Sequence, residues 1–253
     1  MERGDESELQ RFALLCARKG RSMQMLLECR NLKKNYGKKQ AVRNITLNLE
    51  RGKIYGLLGP NGSGKTTWMK MTAGLVKGWE GSISFEGHPL SYHDKAEIAY
   101  MSTEPFFYSY MKIADVGKYY RDFFEDFDEE RFGELLERMD LSPSDKARTL
   151  SSGMAAKLKL AVTLARNAKL YLLDEPLNGI DLVARDHVMQ TIMETRGEGN
   201  TIVMSTHLVD EIDQVIDDAI FVREGQIELQ GNVRQLCGDY GMSIPDLYRK
   251  IYG

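Results

Sequence analysis

The sequence predicts an α/β fold in which a mostly parallel sheet is flanked by helices. Short apolar segments of strand length, such as Lys53–Leu58 and Leu170–Leu173, alternate along the chain with longer segments of helical spacing. This alternation is typical of βαβ units. The chain has 253 residues, of which 42% are hydrophobic and 28% charged. That balance is ordinary for a globular protein that is large enough to build a core.

Strands are expected where apolar residues form short runs or alternate with polar residues. In chain order these segments are Leu26–Leu32, Ala41–Leu49, Lys53–Leu58, Ser82–Phe85, Glu97–Met101, Leu170–Leu173, Thr201–Met204, Asp218–Val222 and Gln226–Leu229. The alternation of apolar and polar residues in Ala41–Leu49, with Val42, Ile45, Leu47 and Leu49 prominent, is typical of a half-buried antiparallel strand. We therefore expect an antiparallel β subdomain beside the parallel strands.

Helices are expected where apolar residues recur at spacings of three and four. These segments are Lys65–Ala73, Ser152–Arg166, Leu182–Thr195 and Leu208–Val215, and small helices close the chain. From Ile113 to Met139 the pattern is also helical, with Phe132, Leu135 and Leu136 on one face. Because this stretch lies between two predicted strands, it predicts a helical insertion subdomain at about 103–165.

Charge and cysteine content exclude several classes of protein. The chain carries 34 Lys and Arg against 37 Asp and Glu, a net charge of −3, which argues against a nucleic-acid binder. Its 3 cysteines form no disulfide or metal-binding pattern, so a cytosolic protein is expected. No apolar run approaches the ~20 residues that span a bilayer, and this excludes an integral membrane protein.

The glycine-rich turn Gly59–Thr67 matches the pattern G-x-x-x-x-G-K-[ST], between a predicted strand and a predicted helix. Such a turn lets successive backbone N–H groups face a phosphate, and the helix N-terminus adds positive partial charge. Lys65 can reach the β- and γ-phosphates, and the Thr66 hydroxyl can ligate Mg²⁺. We expect nucleotide contacts from Gly59, Asn61, Gly62, Ser63, Gly64, Lys65, Thr66 and Thr67. The fold is thus expected to be that of a P-loop NTPase.

Two adjacent carboxylates end the apolar strand Leu170–Leu173. Neighbours on a strand point to opposite sides, so Asp174 and Glu175 cannot do the same task. Asp174 is suited to hold Mg²⁺, and Glu175 is suited to act as the general base toward water. The alternative is a strand end with two solvated acids, which the nearby phosphate loop disfavours.

A third motif, Leu150–Met154, precedes this strand and reads Leu-Ser-Ser-Gly-Met. With the phosphate loop and the hydrolytic strand, the chain resembles the nucleotide-binding subunits of ABC (ATP-binding cassette) transporters over roughly residues 26–230. Six family elements occur in the family's order. The amino-acid sequence around the phosphate loop is most similar to that of the bacterial efflux group, which includes bacitracin-type and ABC-2-like ATPases.

The resemblance implies further site residues. Tyr36 occupies the position of the aromatic that stacks on adenine, although a lone tyrosine is more often a packing residue. Ser151 and Gly153 correspond to the residues that bind the γ-phosphate held by the other subunit. Asp181 matches the loop at the family's dimer interface, and it also suits a helix N-cap. His207 matches the histidine that senses the γ-phosphate and orients the Glu–water pair.

The chain departs from the family pattern at two places. Ser152 and Met154 replace the usual Gly and Gln of the signature motif, which predicts a working but weakened contact. At the position of the usual Mg²⁺-ligating Gln stands Thr103, followed by Glu104. Either residue can take that role, and the sequence does not choose between them. Our expectation is a Thr103 ligand.

The resemblance also implies partners and location. ATP and Mg²⁺ are the expected cofactors, and ATP is expected to be sandwiched between two cassettes in a homodimer or a heterodimer. A separate integral permease would hold the cassette peripherally on the cytoplasmic face of the membrane. The aromatic segment 104–111 would form the groove for the permease's coupling helix or, alternatively, pack in the core of the helical insertion. The alternatives are a non-transport ABC ATPase and a weak regulatory cassette.

The expected domain organisation is simple. Residues 1–24 are a polar extension, either poorly ordered or part of the fold; residues 25–235 are the ATPase domain; residues 236–253 are a short helical tail.

Overall fold

The computed structural model describes residues 25–104, 107–196 and 199–253. The expectation for residues 1–24 lies outside this described part. Among the described residues, no helix is both long enough and apolar enough to span a bilayer.

Ten strands form one sheet in the described part of the chain, in the order β5-β4-β1-β2-β10-β9-β3-β8-β7-β6. The strands are β1 Met25–Tyr36, β2 Lys39–Glu50, β3 Ile54–Leu58, β4 Glu80–Phe85, β5 His88–Pro89, β6 Ile98–Met101, β7 Leu170–Asp174, β8 Thr201–Thr206, β9 Asp218–Arg223 and β10 Gln226–Asn232. The helices are α1 Lys65–Thr72, α2 Ile113–Phe123, α3 Glu129–Arg138, α4 Ser152–Leu164, α5 Leu182–Arg196, α6 Val233–Tyr240 and α7 Ile244–Tyr252.

The centre of the sheet is parallel. Strand β3 lies between β8 and β9, and β7 lies between β8 and β6. Every residue of β3, β7 and β8 is buried, because helices cover parallel strands on both faces, and this accounts for their continuous apolar sequence. The carboxyl ends of these strands therefore meet along one edge, where ligands bind in open α/β sheets.

The antiparallel half consists of β1, β2, β4 and β5. Val42, Ile45, Leu47 and Leu49 are buried in β2, with more exposed residues between them. The predicted alternation is thus reproduced. This half joins the rest through β10, which pairs in parallel with β2 at Gln226 and Asn44 and antiparallel with β9. The sheet as a whole is mixed.

The segment between β6 and β7 is helical, with α2, α3 and α4 packed together. The predicted helical pattern up to Met139 forms two helices, because the chain turns between Phe124 and Asp128, where Asp128 caps α3 by accepting from the Arg131 backbone N–H at 2.9 Å. A β-carbon on Gly117 would lie 2.5 Å from the Phe132 ring. Glycine there lets α2 and α3 approach closely.

The predicted helix over Leu208–Val215 is wrong. Only a short 3-10 turn, Val209–Glu211, forms there, and turns follow it. Ile212 and Ile216 pack on the bare backbone of β3, since a β-carbon on Gly56 would lie 3.3 Å and 2.8 Å from their Cδ1 atoms. The apolar spacing that suggests a helix is satisfied instead by this contact with the sheet.

Candidate active site

The carboxyl edge of the parallel strands forms a pocket of about 480 Å³. It brings together residues from the end of β1, the turn after β3, the segment after β6 and the ends of β7 and β8. Its lining is Tyr36, Lys39, Ala41, Asn61, Gly62, Ser63, Gly64, Lys65, Thr66, Thr67, Thr103, Glu175, Asn178 and His207. Most of the predicted site residues therefore meet in one place.

The turn between β3 and α1 depends on glycine. Gly59, Gly62 and Gly64 have φ values of 156°, 82° and 111°, a region that other residues rarely adopt. A β-carbon on Gly59 would lie 2.4 Å from the Val222 carbonyl oxygen, and one on Gly64 would lie 2.6 Å from that of Ala41. The glycines thus serve both the conformation of the turn and its close packing on β2 and β9.

Lys65 opens α1 and curls back over the turn. Its Nζ donates to the Gly59 carbonyl at 2.6 Å and to the Pro60 carbonyl at 3.2 Å, and it lies 3.9 Å from Glu175 Oε1. Burial lowers the pKa of the Lys65 ammonium, and the negative charges of Glu175 and Asp174 oppose that effect. The ammonium is thus held inside the turn, where it can pair with a bound anion.

Asp174 is fully buried at the end of β7. The Thr66 hydroxyl donates to its Oδ1 at 3.1 Å, the Ser205 hydroxyl donates to the same oxygen at 2.5 Å, and the Tyr100 hydroxyl donates to Oδ2 at 3.4 Å. These donors satisfy a carboxylate that would otherwise be costly to bury. Asp174 is thereby fixed beside the Thr66 hydroxyl.

Glu175 adopts a φ of 52°, which is rare outside glycine and costs on the order of 1–3 kcal/mol. This turns its side chain away from that of Asp174 and into the pocket. Its Oε2 lies 3.0 Å from Nδ1 of His207. Its Oε1 is buried and has no hydrogen-bond partner within the described residues. One oxygen of this carboxylate is therefore fixed by a hydrogen bond, and the other faces the Lys65 ammonium without one.

The residues present fit a nucleotide with Mg²⁺. The Oγ of Ser63 in the phosphate loop is a second buried polar atom that lacks a partner among described residues. No cluster of three or more metal-ligating side chains occurs in the described segments. Mg²⁺ is commonly held by one or two carboxylates together with substrate phosphates and water, so Thr66 and Asp174 offer a set of the expected size.

Thr103 lines the pocket, and Glu104 is exposed and does not. The loop that carries them is fixed by Lys159 of α4, whose Nζ donates to the Ser102 carbonyl at 3.1 Å and the Thr103 carbonyl at 2.7 Å. Of the two candidates for the missing Gln, the geometry favours Thr103.

Several functional contacts escape sequence reasoning. Ser205 links the Asp174 carboxylate to the Glu175 backbone, because its hydroxyl donates to Asp174 Oδ1 while its oxygen accepts the Glu175 backbone N–H at 3.0 Å. Tyr100 and Lys159 also support the site. Ser205 sits at the carboxyl end of a strand adjacent to β3, and that position is the signal that could have identified it.

Five predicted site residues are absent from the pocket lining. Gly59 and Asp174 are hydrogen-bonded to the lining residues Lys65 and Thr66, whereas the other three have different neighbours. Ser151 caps α4 by accepting from the Met154 backbone N–H at 3.2 Å, and its side chain is exposed. Gly153 abuts the loop after β7, since a β-carbon there would lie 2.8 Å from the Gly179 carbonyl oxygen. Asp181 is exposed and caps α5 by accepting from the Ala184 backbone N–H at 3.0 Å. We call Ser151, Gly153 and Asp181 the signature face.

Comparison with known proteins identifies relatives. The family model described as ABC transporter matches residues 42–178. The lantibiotic transport ATP-binding protein SrtF of Streptococcus pyogenes is 36% identical over 207 residues, which is 81% of this chain and 90% of SrtF. The linearmycin resistance ATP-binding protein LnrL of Bacillus subtilis is 30% identical over 225 residues, which is 85% of this chain and 72% of LnrL.

Solved structures share the fold. An ATP-binding subunit of an ABC transporter superposes with a TM-score of 0.81 at 24% identity, covering 89% of this chain and 98% of that one. The ATP-binding cassette MJ0796, solved as a dimer bound to ADP and Pi, superposes with a TM-score of 0.73 at 21% identity, covering 82% of this chain and 98% of MJ0796. At these identities the likeness concerns the fold alone, and it confirms the predicted fold class.

Proposed function

The chain belongs to the ABC transporter family as an ATP-hydrolysing subunit, and from this premise we propose that two cassettes close around ATP and Mg²⁺ to drive export through a separate membrane subunit. The observation that carries the proposal is the arrangement around Glu175. One oxygen is paired with His207, and the other has no hydrogen-bond partner among the described residues and lies 3.9 Å from the Lys65 ammonium. Glu175 lines the same pocket as the glycine-rich phosphate loop.

The proposed roles follow from the contacts. The backbone of the phosphate loop and Lys65 bind the phosphates, and Tyr36, 48% exposed at the pocket rim, offers its ring to adenine. Thr66, Asp174 and Thr103 would hold Mg²⁺. When bound, Mg²⁺ neutralises charge that develops on the phosphates.

Hydrolysis itself is assigned to Glu175 and His207. Glu175 Oε1 accepts a proton from the attacking water, while His207 holds Oε2 and so orients the carboxylate. Lys65 Nζ lies 3.9 Å from Oε1, which places its ammonium close to both Glu175 and the proposed phosphate site. The strained φ of Glu175 keeps its side chain aimed at the pocket.

The separate position of the signature residues supports a dimer. Ser151 and Gly153 do not line the pocket of their own chain, and they lie at the N-terminus of α4, where anions bind favourably. In a head-to-tail pair, each chain would present this helix end to the ATP held by the other. Whether the second cassette is a copy of this chain or a different chain stays open.

A membrane partner is supported by an exposed aromatic patch and by the relatives. Tyr108 and Tyr110 are 59% and 70% exposed, and their rings stack at 5.5 Å. Rings so exposed favour burial against another protein. SrtF and LnrL are named for lantibiotic transport and linearmycin resistance. We therefore propose an export role on the cytoplasmic face of a membrane.

The substitution Glu175→Gln tests the catalytic assignment. We expect kcat for ATP to fall by at least about 100-fold, because the general base is lost, while ATP affinity changes by less than about 2-fold. The matched control is Glu130→Gln, an exposed carboxylate in the first turn of α3, which is expected to leave both quantities unchanged. Retention of most of the activity in Glu175→Gln would contradict the proposal.

A further inference from the structure

The C-terminal helix α7 reaches the start of the phosphate loop through its last turn. Ile244, Pro245 and Leu247 are buried, so the helix is docked on the core. Its N-terminus is capped by the Ser243 hydroxyl, which accepts the Asp246 backbone N–H at 3.2 Å. The helix is thus an ordered part of the fold, and its last residues lie beneath the phosphate loop.

Tyr252, in the last turn of α7, makes the closest link to the site. Its hydroxyl lies 3.2 Å from the Leu58 carbonyl oxygen and 2.9 Å from the Val222 carbonyl oxygen. These carbonyls lie where the parallel ladder between β3 and β9 ends, since Leu58 opposite Phe221 is its last pair. One hydroxyl proton is therefore shared between two carbonyls that lie beyond the ladder.

The same hydroxyl lies close to the first residue of the phosphate loop. A β-carbon on Gly59 would lie 3.3 Å from the Tyr252 oxygen. Gly59 also supplies the carbonyl that accepts from Lys65 at 2.6 Å. The Tyr252 hydroxyl is thus one residue removed from the carbonyl that holds the catalytic-site lysine.

Other residues of α7 anchor the helix near His207. Arg249 donates to Asp210 Oδ1 at 2.9 Å, three residues after His207 in the chain. The Arg223 side chain, at the end of β9, donates to the Ile251 carbonyl at 3.1 Å. The Tyr248 ring packs on Tyr252 with centroids 4.6 Å apart, and burial together with the negative charge of Glu175 raises the pKa of Tyr248.

We propose that Tyr252 is a positioning residue for ATP binding: by bonding the carbonyls of Leu58 and Val222 it holds the start of the phosphate loop in its anion-binding conformation. The inference rests on the proposed role of that loop. Tyr252 is absent from the pocket lining. It therefore acts on the nucleotide indirectly, through the backbone at Gly59.

Tyr252→Phe in the full chain tests this inference, because the ring and its packing remain while the hydroxyl is lost. We expect KM for ATP to rise about 3- to 10-fold, the range that follows from losing one hydrogen bond, with kcat changed by less than about 2-fold. Hydrogen exchange without nucleotide should become faster at the backbone amides of Gly59 and of residues 61–65. The matched control is Tyr240→Phe, which removes a half-exposed tyrosine hydroxyl at the end of α6.

The outcomes are distinguishable. A lower melting temperature and a lower rate with KM unchanged in Tyr252→Phe would overturn the inference, because a purely structural defect reduces the fraction of active molecules and leaves KM as it was. Unchanged KM and unchanged exchange would overturn it as well. If the wild-type chain does not bind ATP, the proposed nucleotide site itself is overturned instead.

Discussion

The nucleotide pocket and the signature face use residues in opposite ways. At the pocket, Lys65 is buried and donates to carbonyls of its own turn, and Asp174 is buried and accepts from Thr66 of α1 and Ser205 of β8. On the signature face, Ser151 and Asp181 are exposed and bond only to the backbone of their own helices. The pocket is assembled by folding of a single chain, whereas the signature face is left open.

The loop 178–181 lies between these two regions. Asn178 lines the pocket, and the Gly179 carbonyl faces the signature turn closely enough that only glycine fits at position 153. Arg185 of α5 donates to the Ile180 carbonyl at 2.9 Å and pairs with Glu211 in the turn after His207. The two regions are therefore joined through a short loop.

The contrast teaches that one chain carries half of each of two proposed sites. Substitutions in the pocket should change ATP binding by an isolated chain, and substitutions on the signature face should change only what happens between chains. The predictions below use that separation.

Tyr36→Ala should weaken ATP binding by a single chain, and this effect should be larger than that of Thr103→Ala. Aromatic stacking on a base contributes ~1–3 kcal/mol, so ATP affinity should fall by about 10-fold. Tyr36→Phe should retain it, because the ring remains. Titration of a fluorescent ATP analogue measures both, with Tyr92→Ala as the control for loss of an exposed tyrosine far from the pocket lining. An unchanged affinity in Tyr36→Ala would remove Tyr36 from the pocket half of the comparison.

Thr103→Ala should have a smaller effect, confined to the metal. We expect the Mg²⁺ concentration that gives half-maximal hydrolysis to rise by about 3-fold, since one neutral ligand among several is lost. Glu104→Ala is the matched control, because that neighbouring residue is exposed and absent from the pocket lining. If Glu104→Ala shifts the Mg²⁺ dependence and Thr103→Ala does not, the assignment between these two residues is reversed.

Local patterns predict much of the pocket. The apolar strand before Gly59, the glycine spacing and the two carboxylates after Leu173 each encode their own geometry over a few residues. The structure adds what depends on distant segments. Ser205 reaches Asp174 only because β8 pairs beside β7, and Tyr252 reaches Leu58 only because α7 folds back under β3.

The incorrect helix over Leu208–Val215 shows the limit of periodicity. Its apolar residues do have helical spacing, but Arg249 engages Asp210, Arg185 engages Glu211, and Ile212 packs on Gly56. Such tertiary contacts outweigh weak local preference. No periodic signal contains them, because each partner lies far away in sequence.

The central claim is that ATP joins two chains through the signature face. Sedimentation of Glu175→Gln with and without ATP and Mg²⁺ tests it most directly, because slow hydrolysis should trap the dimer. We predict an ATP-dependent dimer that disappears in Glu175→Gln with Ser151→Ala, while ATP binding persists. Adding Asp128→Ala instead, which removes a comparable helix cap on α3, should leave the dimer intact. A Glu175→Gln chain that stays monomeric at saturating ATP, or a dimer that survives Ser151→Ala, would contradict the account.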